Sequence, residues 1–371
     1  MRIFRINLTS HEAVDLGVGE VSANDNVVRA EPGNSVLLSR TVNGLTNIWK
    51  YSLKDRSLRQ VTFGTGPDYS PMPDPGGKGI YFVNGKSSEF LTAYYIQSTQ
   101  STDIVSDATD PAISPDGNHV MYITLPASQR SELWTSNIDG GNKVKVATGE
   151  SLGTGSWARD NFHLSFMEEA DSGNTRRAYI IGADGTGLQQ SPPMPTTLIG
   201  SAIWSPDQKS IYLSVMRKKY LPTYEIWKWD VDGSNSEKLV ADCSLATDAH
   251  PGGKYLLGAI SFGERTGIVE ASISNRKCTP LLPGVVTSAA TFDRDGKSFL
   301  YAVASHGQVT IYRQTWSNGK TIGTPQVALK VPFAFPLTYR GGKAYDLARD
   351  LSTIVYARPG GHADLYLLNQ K

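Results

Sequence analysis

Apolar and polar residues alternate in short runs along this chain, and the runs come in a fixed order. From Asp110 the order is legible in full. Asp110 to Ile113 reads as extended chain. Ser114-Pro115-Asp116-Gly117 reads as a turn, because proline presets an early φ and glycine accepts a positive φ later. His119 to Thr124 (HVMYIT) is β-branched and aromatic with no helical period, and predicts a strand. Leu133 to Ile138 predicts a third strand. Asp139-Gly140-Gly141-Asn142 is a hairpin turn of residues that tolerate left-handed backbone, and Lys143 to Ala147 (KVKVA) alternates as a fourth strand.

The same phrase returns about every 40–47 residues. Copies begin at Val27, Tyr69, Asp110, Thr154, Ser201, Thr247, Ala289 and Ala344, eight in all. No segment shows the period of an amphipathic helix. A repeat this short cannot hide its own apolar faces, so the chain is an array of small β units. A four-stranded meander is apolar on both sides, and stacking such sheets around an axis covers both. The prediction is all-β: a single β-propeller domain over residues 1–371, made of four-stranded antiparallel blades. Eight blades are expected, with seven as the alternative if the stretch VALKVPFAFPLTYRGGK between the last two copies is irregular. The hairpin within 1–20 is expected to close the ring with 337–371, since an N-terminal strand there removes an open edge.

Charge narrows the partners. Lys plus Arg number 36 against 35 Asp plus Glu, which argues against a nucleic-acid binder. No apolar run approaches the ~20 residues of a membrane helix. The N-terminus, MRIFRINLTSHEAVDL, lacks the apolar core and cleavage site of a signal peptide. As written the chain is expected in the cytoplasm, and in the periplasm if it is a piece of a longer exported or membrane-anchored protein. Cys243 and Cys278 sit near the ends of consecutive repeats; a bond is conceivable, but two idle thiols are the expectation.

The turn Ile203-Trp204-Ser205-Pro206-Asp207, with Ile113 to Gly117 and Asp295-Gly296-Lys297, resembles the signature of the TolB-like, WD-repeat-like propeller family. Trp134 to Gly140 and Trp227 to Gly233 resemble its hairpin. The resemblance covers nearly all of the chain. The chain is also similar to the C-terminal propeller portions of bacterial winged-helix or serine/threonine-kinase signalling proteins, without a counterpart of their DNA-binding or kinase segments. TolB resemblance implies a peptide- or protein-binding role.

Candidate chemistry is sparse. Gly149-Glu150-Ser151-Leu152-Gly153 spells GxSxG, but a nucleophile elbow needs a strand before it and a helix after it. Asp230 to Asn235 resembles the start of a calcium loop, yet its twelfth position is Ala241 and its context is a hairpin. None of the six histidines forms a close pair, so no metal site is read. Trp157 and Trp204 share one repeat position, and Trp49, Trp134 and Trp227 share another, as packing demands. A site is expected in the loops that enter the inner strands. Tyr69, Asp110, Ser156, Asp248 and His250 are the ligand-binding candidates. The reading is a non-catalytic, monomeric module that binds or senses a protein or peptide, without cofactor or metal. The alternative is a propeller enzyme such as a metal-dependent polysaccharide lyase with its site at the central channel.

Overall fold

A computed structural model describes residues 4–15, 27–31, 35–42, 45–64, 67–75, 79–85, 88–124, 130–170, 175–194, 198–216, 224–260, 266–337, 343–360 and 363–369. Every regular element among them is a β-strand. The chain forms two compact units, one of residues 1–88 with 359–371, the other of residues 89–358.

The larger unit holds six four-stranded antiparallel sheets, numbered here as blades I to VI from their inner strands. Blade I comprises Ala108–Ile113, His119–Thr124, Ser131–Asn137 and Val144–Gly149. Blade II comprises Ser151–Trp157, His163–Ala170, Thr175–Gly182 and Gln189–Gln190. Blade III comprises Leu198–Trp204, Ser210–Met216, Tyr224–Asp230 and Ser236–Cys243. Blade IV comprises Leu245–Ala249, Tyr255–Ile260, Gly267–Ser272 and Lys277–Pro283. Blade V comprises Ala290–Phe292, Ser298–Ser305, Gln308–Ser317 and Lys320–Val331. Blade VI joins the two ends of the unit: Tyr345–Leu347 and Thr353–Gly360 inside, then Ser88–Tyr95 and Gln100–Ser106 outside.

The core lies between blades, because each sheet is apolar on both faces. Met121, Ile123 and Leu133 of blade I meet Trp157, Leu164 and Phe166 of blade II. Equivalent clusters join II to III, III to IV, IV to V and V to VI. A further one joins VI back to I, with Leu91, Ala93 and Val355 against Val120 and Tyr122. Hydrogen bonds seal that last junction: Lys343 N donates to Asp110 Oδ1 (2.9 Å) and Ile113 N to Asp346 Oδ2 (2.8 Å). This ring therefore closes at six blades, where the repeat count had suggested eight or seven.

The copies at Val27 and Tyr69 build sheets of the other unit. One has four strands, Val27–Glu31, Ser35–Val42, Leu45–Ser52 and Leu58–Gln60. The other has three: Asp68–Pro73, Gly79–Gly85 and the C-terminal Ala363–Asn369. The N-terminal hairpin, Phe4–Ile6 and Ala13–Asp15, pairs with itself. The strand beside Thr353–Gly360 is Ser88–Tyr95.

The cysteines correct another expectation. Cys243 ends the outer strand of blade III and Cys278 lies in the outer strand of blade IV, with Cα atoms 5.4 Å apart, and they form a disulfide. Arg276 and Glu237 pair across the same seam at 2.9 Å.

Candidate functional site

The inner strands surround a cavity of about 380 Å³. Each blade contributes at one repeat position: Ala112, Ser156, Ile203, Asp248, Thr291 and Asp346. Three residues later each contributes again at the rim: Pro115, Arg159, Pro206, Pro251, Arg294 and Arg349. The second set lies where inner strands pass into their turns. The mouth is thus built mainly from strand exits, whereas the sequence had pointed to the entering loops.

The side chains facing this cavity divide into a frame and a remainder. Asp248 is 7% exposed and its carboxylate ties three blades together. It accepts from its neighbour Ala249 N (2.9 Å), from Thr291 Oγ1 and Phe292 N of blade V (both 2.8 Å) and from Arg349 Nη2 of blade VI (2.8 Å). Arg349 Nη1 also donates to Phe292 O (2.9 Å). The Asp248 carboxylate beside it pushes the guanidinium pKa up further. Asp346 accepts from Ile113 N and sits 3.2 Å from Lys343 Nζ. Ser156 Oγ donates to Ala202 O (3.0 Å) and accepts from Trp204 N (3.3 Å), linking blades II and III.

Arg159 and Arg294 form the remainder. Both are exposed. Among the described residues neither has a carboxylate within ion-pair distance. Their acidic sequence neighbours are engaged elsewhere, Asp160 with His163 at 2.6 Å and Asp293 with Arg313 at 2.9 Å. Arg294 acts at longer range on Asp350, whose carboxyl is held below the usual range chiefly by hydrogen bonds from Ser352. Two tryptophans border the opening and differ in their partners. Trp157 Nε1 donates to Ala112 O of blade I (2.8 Å), whereas Trp204 Nε1 is buried without a partner among the described residues.

Of the five residues singled out in the sequence, Ser156 and Asp248 line this cavity. Asp110 stands one step behind them, at a positive φ of 55°, where its carboxylate accepts from Lys343 N. His250 turns away into an aromatic cluster, 5.0 Å from the Phe292 ring and 5.1 Å from Trp316, with Nε2 3.2 Å from Gly296 O. Tyr69 belongs to the strand Asp68–Pro73 of the smaller unit. The sequence reading missed Arg159, Arg294, Arg349, Lys343 and Asp346. The signal was available: three repeats place arginine where three others place proline.

Other motifs resolve into local structure. Ser151 opens the inner strand of blade II, so a strand and not a helix follows the GxSxG string. Asp230 accepts from Ser210 Oγ (2.6 Å) and pairs with Lys228 (2.7 Å). Among the described residues no group of three or more His, Cys, Asp or Glu is placed to hold a metal ion.

No protein-family model matches the chain. Over 120 residues it is 31% identical to the uncharacterized peptidase YuxL of Bacillus subtilis, a match covering 31% of this chain and 18% of that protein. The match therefore spans under a fifth of that relative's length. Among solved structures it resembles a protein from Agrobacterium tumefaciens assigned as TolB, with a TM-score of 0.54, 15% identity, 74% of this chain covered and 99% of the other. It also resembles an oligogalacturonate lyase in complex with manganese, with a TM-score of 0.45, 14% identity, 85% of this chain covered and 96% of the other. The fold is a TolB-like β-propeller. The expectation of a protein without enzymatic activity does not stand, because the curated relative bears the name of a peptidase.

Proposed function

We propose that the six-bladed ring binds peptide segments at its channel mouth, as the recognition part of a protein of peptidase type. One observation carries this reading: all six inner strands deliver a side chain to a single cavity of about 380 Å³, with polar groups on some walls and tryptophan and proline on others. Pockets that combine apolar walls with a few fixed polar groups suit chain segments of mixed character. The peptidase relative supports the same class of ligand. A disulfide such as Cys243–Cys278 persists in oxidising surroundings, which supports the exported of the two compartments.

Pro251→Trp and Pro206→Trp test the reading by crowding the rim from turn positions. Both variants should lose binding to a fluorescent peptide pool in a polarisation assay while melting within a few degrees of the parent. Undiminished binding in both would remove the mouth from the reaction.

A further inference from the structure

We infer that the mouth selects peptides by a carboxylate, received by the guanidinium groups of Arg159 and Arg294. This rests on the peptide reading above and names what that ligand must carry. Four cations line the cavity, Arg159, Arg294, Lys343 and Arg349, against two carboxylates, Asp248 and Asp346. Both carboxylates are already engaged, Asp248 by Arg349 and Asp346 by Lys343. The surplus of positive charge therefore sits on Arg159 and Arg294.

Their placement suits a ligand better than a frame. They occupy the same rim position of blades II and V, which are three apart in a ring of six and so face each other across the opening. Both are exposed at the rim. By contrast Arg349, at the equivalent position of blade VI, is committed to Asp248 and to the backbone of blade V. A guanidinium presents paired N–H donors that match the two oxygens of a carboxylate, and a partly enclosed mouth weakens screening by water. A chain end entering between the two arginines also meets the walls formed by Trp157 and Trp204, 7% and 8% exposed.

The test uses the full chain and the fluorescence of the tryptophans bordering the mouth. Four probes are titrated: acetyl-trialanine, its C-terminal amide, acetyl-Ala-Asp-Ala-amide and glutarate. Acetyl-trialanine should bind about tenfold or more tighter than its amide, the usual scale for a charge-assisted hydrogen bond. Arg159→Gln with Arg294→Gln should erase that difference without shifting the melting temperature, and the paired Lys substitutions should restore part of it. If the aspartyl amide matches the free acid, a side-chain carboxylate serves as well as a chain terminus, and the inference holds. Equal binding of acid and amide would overturn the inference and leave the peptide reading intact. Arginine-dependent binding of glutarate alone would uphold the carboxylate site and overturn the peptide reading. Silence from all four probes would overturn the inference.

Discussion

Replacing Arg349 by methionine should unfasten three blades at one point. The side chain of Asp248 is 10% exposed, and its partner's is 29% exposed. Breaking a buried pair by removing one member costs about 3–5 kcal/mol, because the surviving charge stays buried. Two features lower the figure here. Asp248 keeps donors from Ala249 N, Thr291 Oγ1 and Phe292 N, and Arg349 is partly open to solvent. A loss of about 2 kcal/mol is the expectation, and for a unit of this size that lowers the melting temperature by roughly 3–4 °C. Urea unfolding followed by near-ultraviolet circular dichroism measures it. Asp248→Asn and the double variant complete a cycle. Residues in one charged network couple by about 0.5–3 kcal/mol, so the double variant should cost less than the sum of the singles. Additive losses, or an Arg349→Met variant as stable as the parent, would refute the claim that this pair ties blades IV, V and VI together.

Reduction of the Cys243–Cys278 bond should lower stability by about 2–4 kcal/mol, since the bridge closes a 35-residue separation. Thiol titration of unreduced, denatured protein should find no free thiol, and finding two would contradict the bond. Burial pushes the Glu270 carboxyl up despite the hydrogen bond from Trp316 Nε1 (2.7 Å). Its stabilising contribution is present below the unfolded pKa of about 4.3 and is lost as pH rises through the higher folded value. Glu270→Gln should therefore gain stability relative to the parent between pH 4 and pH 7; an unchanged gap in denaturation midpoints would rule this out. Trp157→Phe should cost about 1 kcal/mol more than Trp204→Phe, because only Trp157 donates a hydrogen bond across its seam. Equal losses in urea melts would count against the assignment.

The strands and turns were legible because they are local. Ser114-Pro115-Asp116-Gly117 and Asp139-Gly140 specify their turns with no help from the rest of the chain, and the two strands between them pair as neighbours, with Tyr122 opposite Trp134. Ring closure was not legible. Counting copies gives sheets, but which sheet meets the first depends on the contact of Leu91 and Val355 with Val120 and Tyr122, residues far apart in sequence. Disulfide pairing failed for a similar reason. Two cysteines in neighbouring repeats carry no record of whether their outer strands converge, and here the seam between blades III and IV brings the Cα atoms to 5.4 Å. His250 misled because it precedes a turn and is polar, yet Phe292 and Trp316 supply an aromatic niche that claims its ring.

The mouth also shows how a repeat acquires a site. A position that recurs six times is under the same geometric demand each time, so differences among its occupants report something besides the fold. Proline at Pro115, Pro206 and Pro251 satisfies the turn alone. Arginine at Arg349 replaces that local rigidity with a bond across the ring to Asp248, which is a structural use of the same position. Arg159 and Arg294 have neither justification: they give up the proline and make no ion pair across the ring with a described residue. Two exposed arginines kept where the scaffold tolerates proline, on opposite blades and over one cavity, are accounted for if the group that completes them arrives from outside the chain.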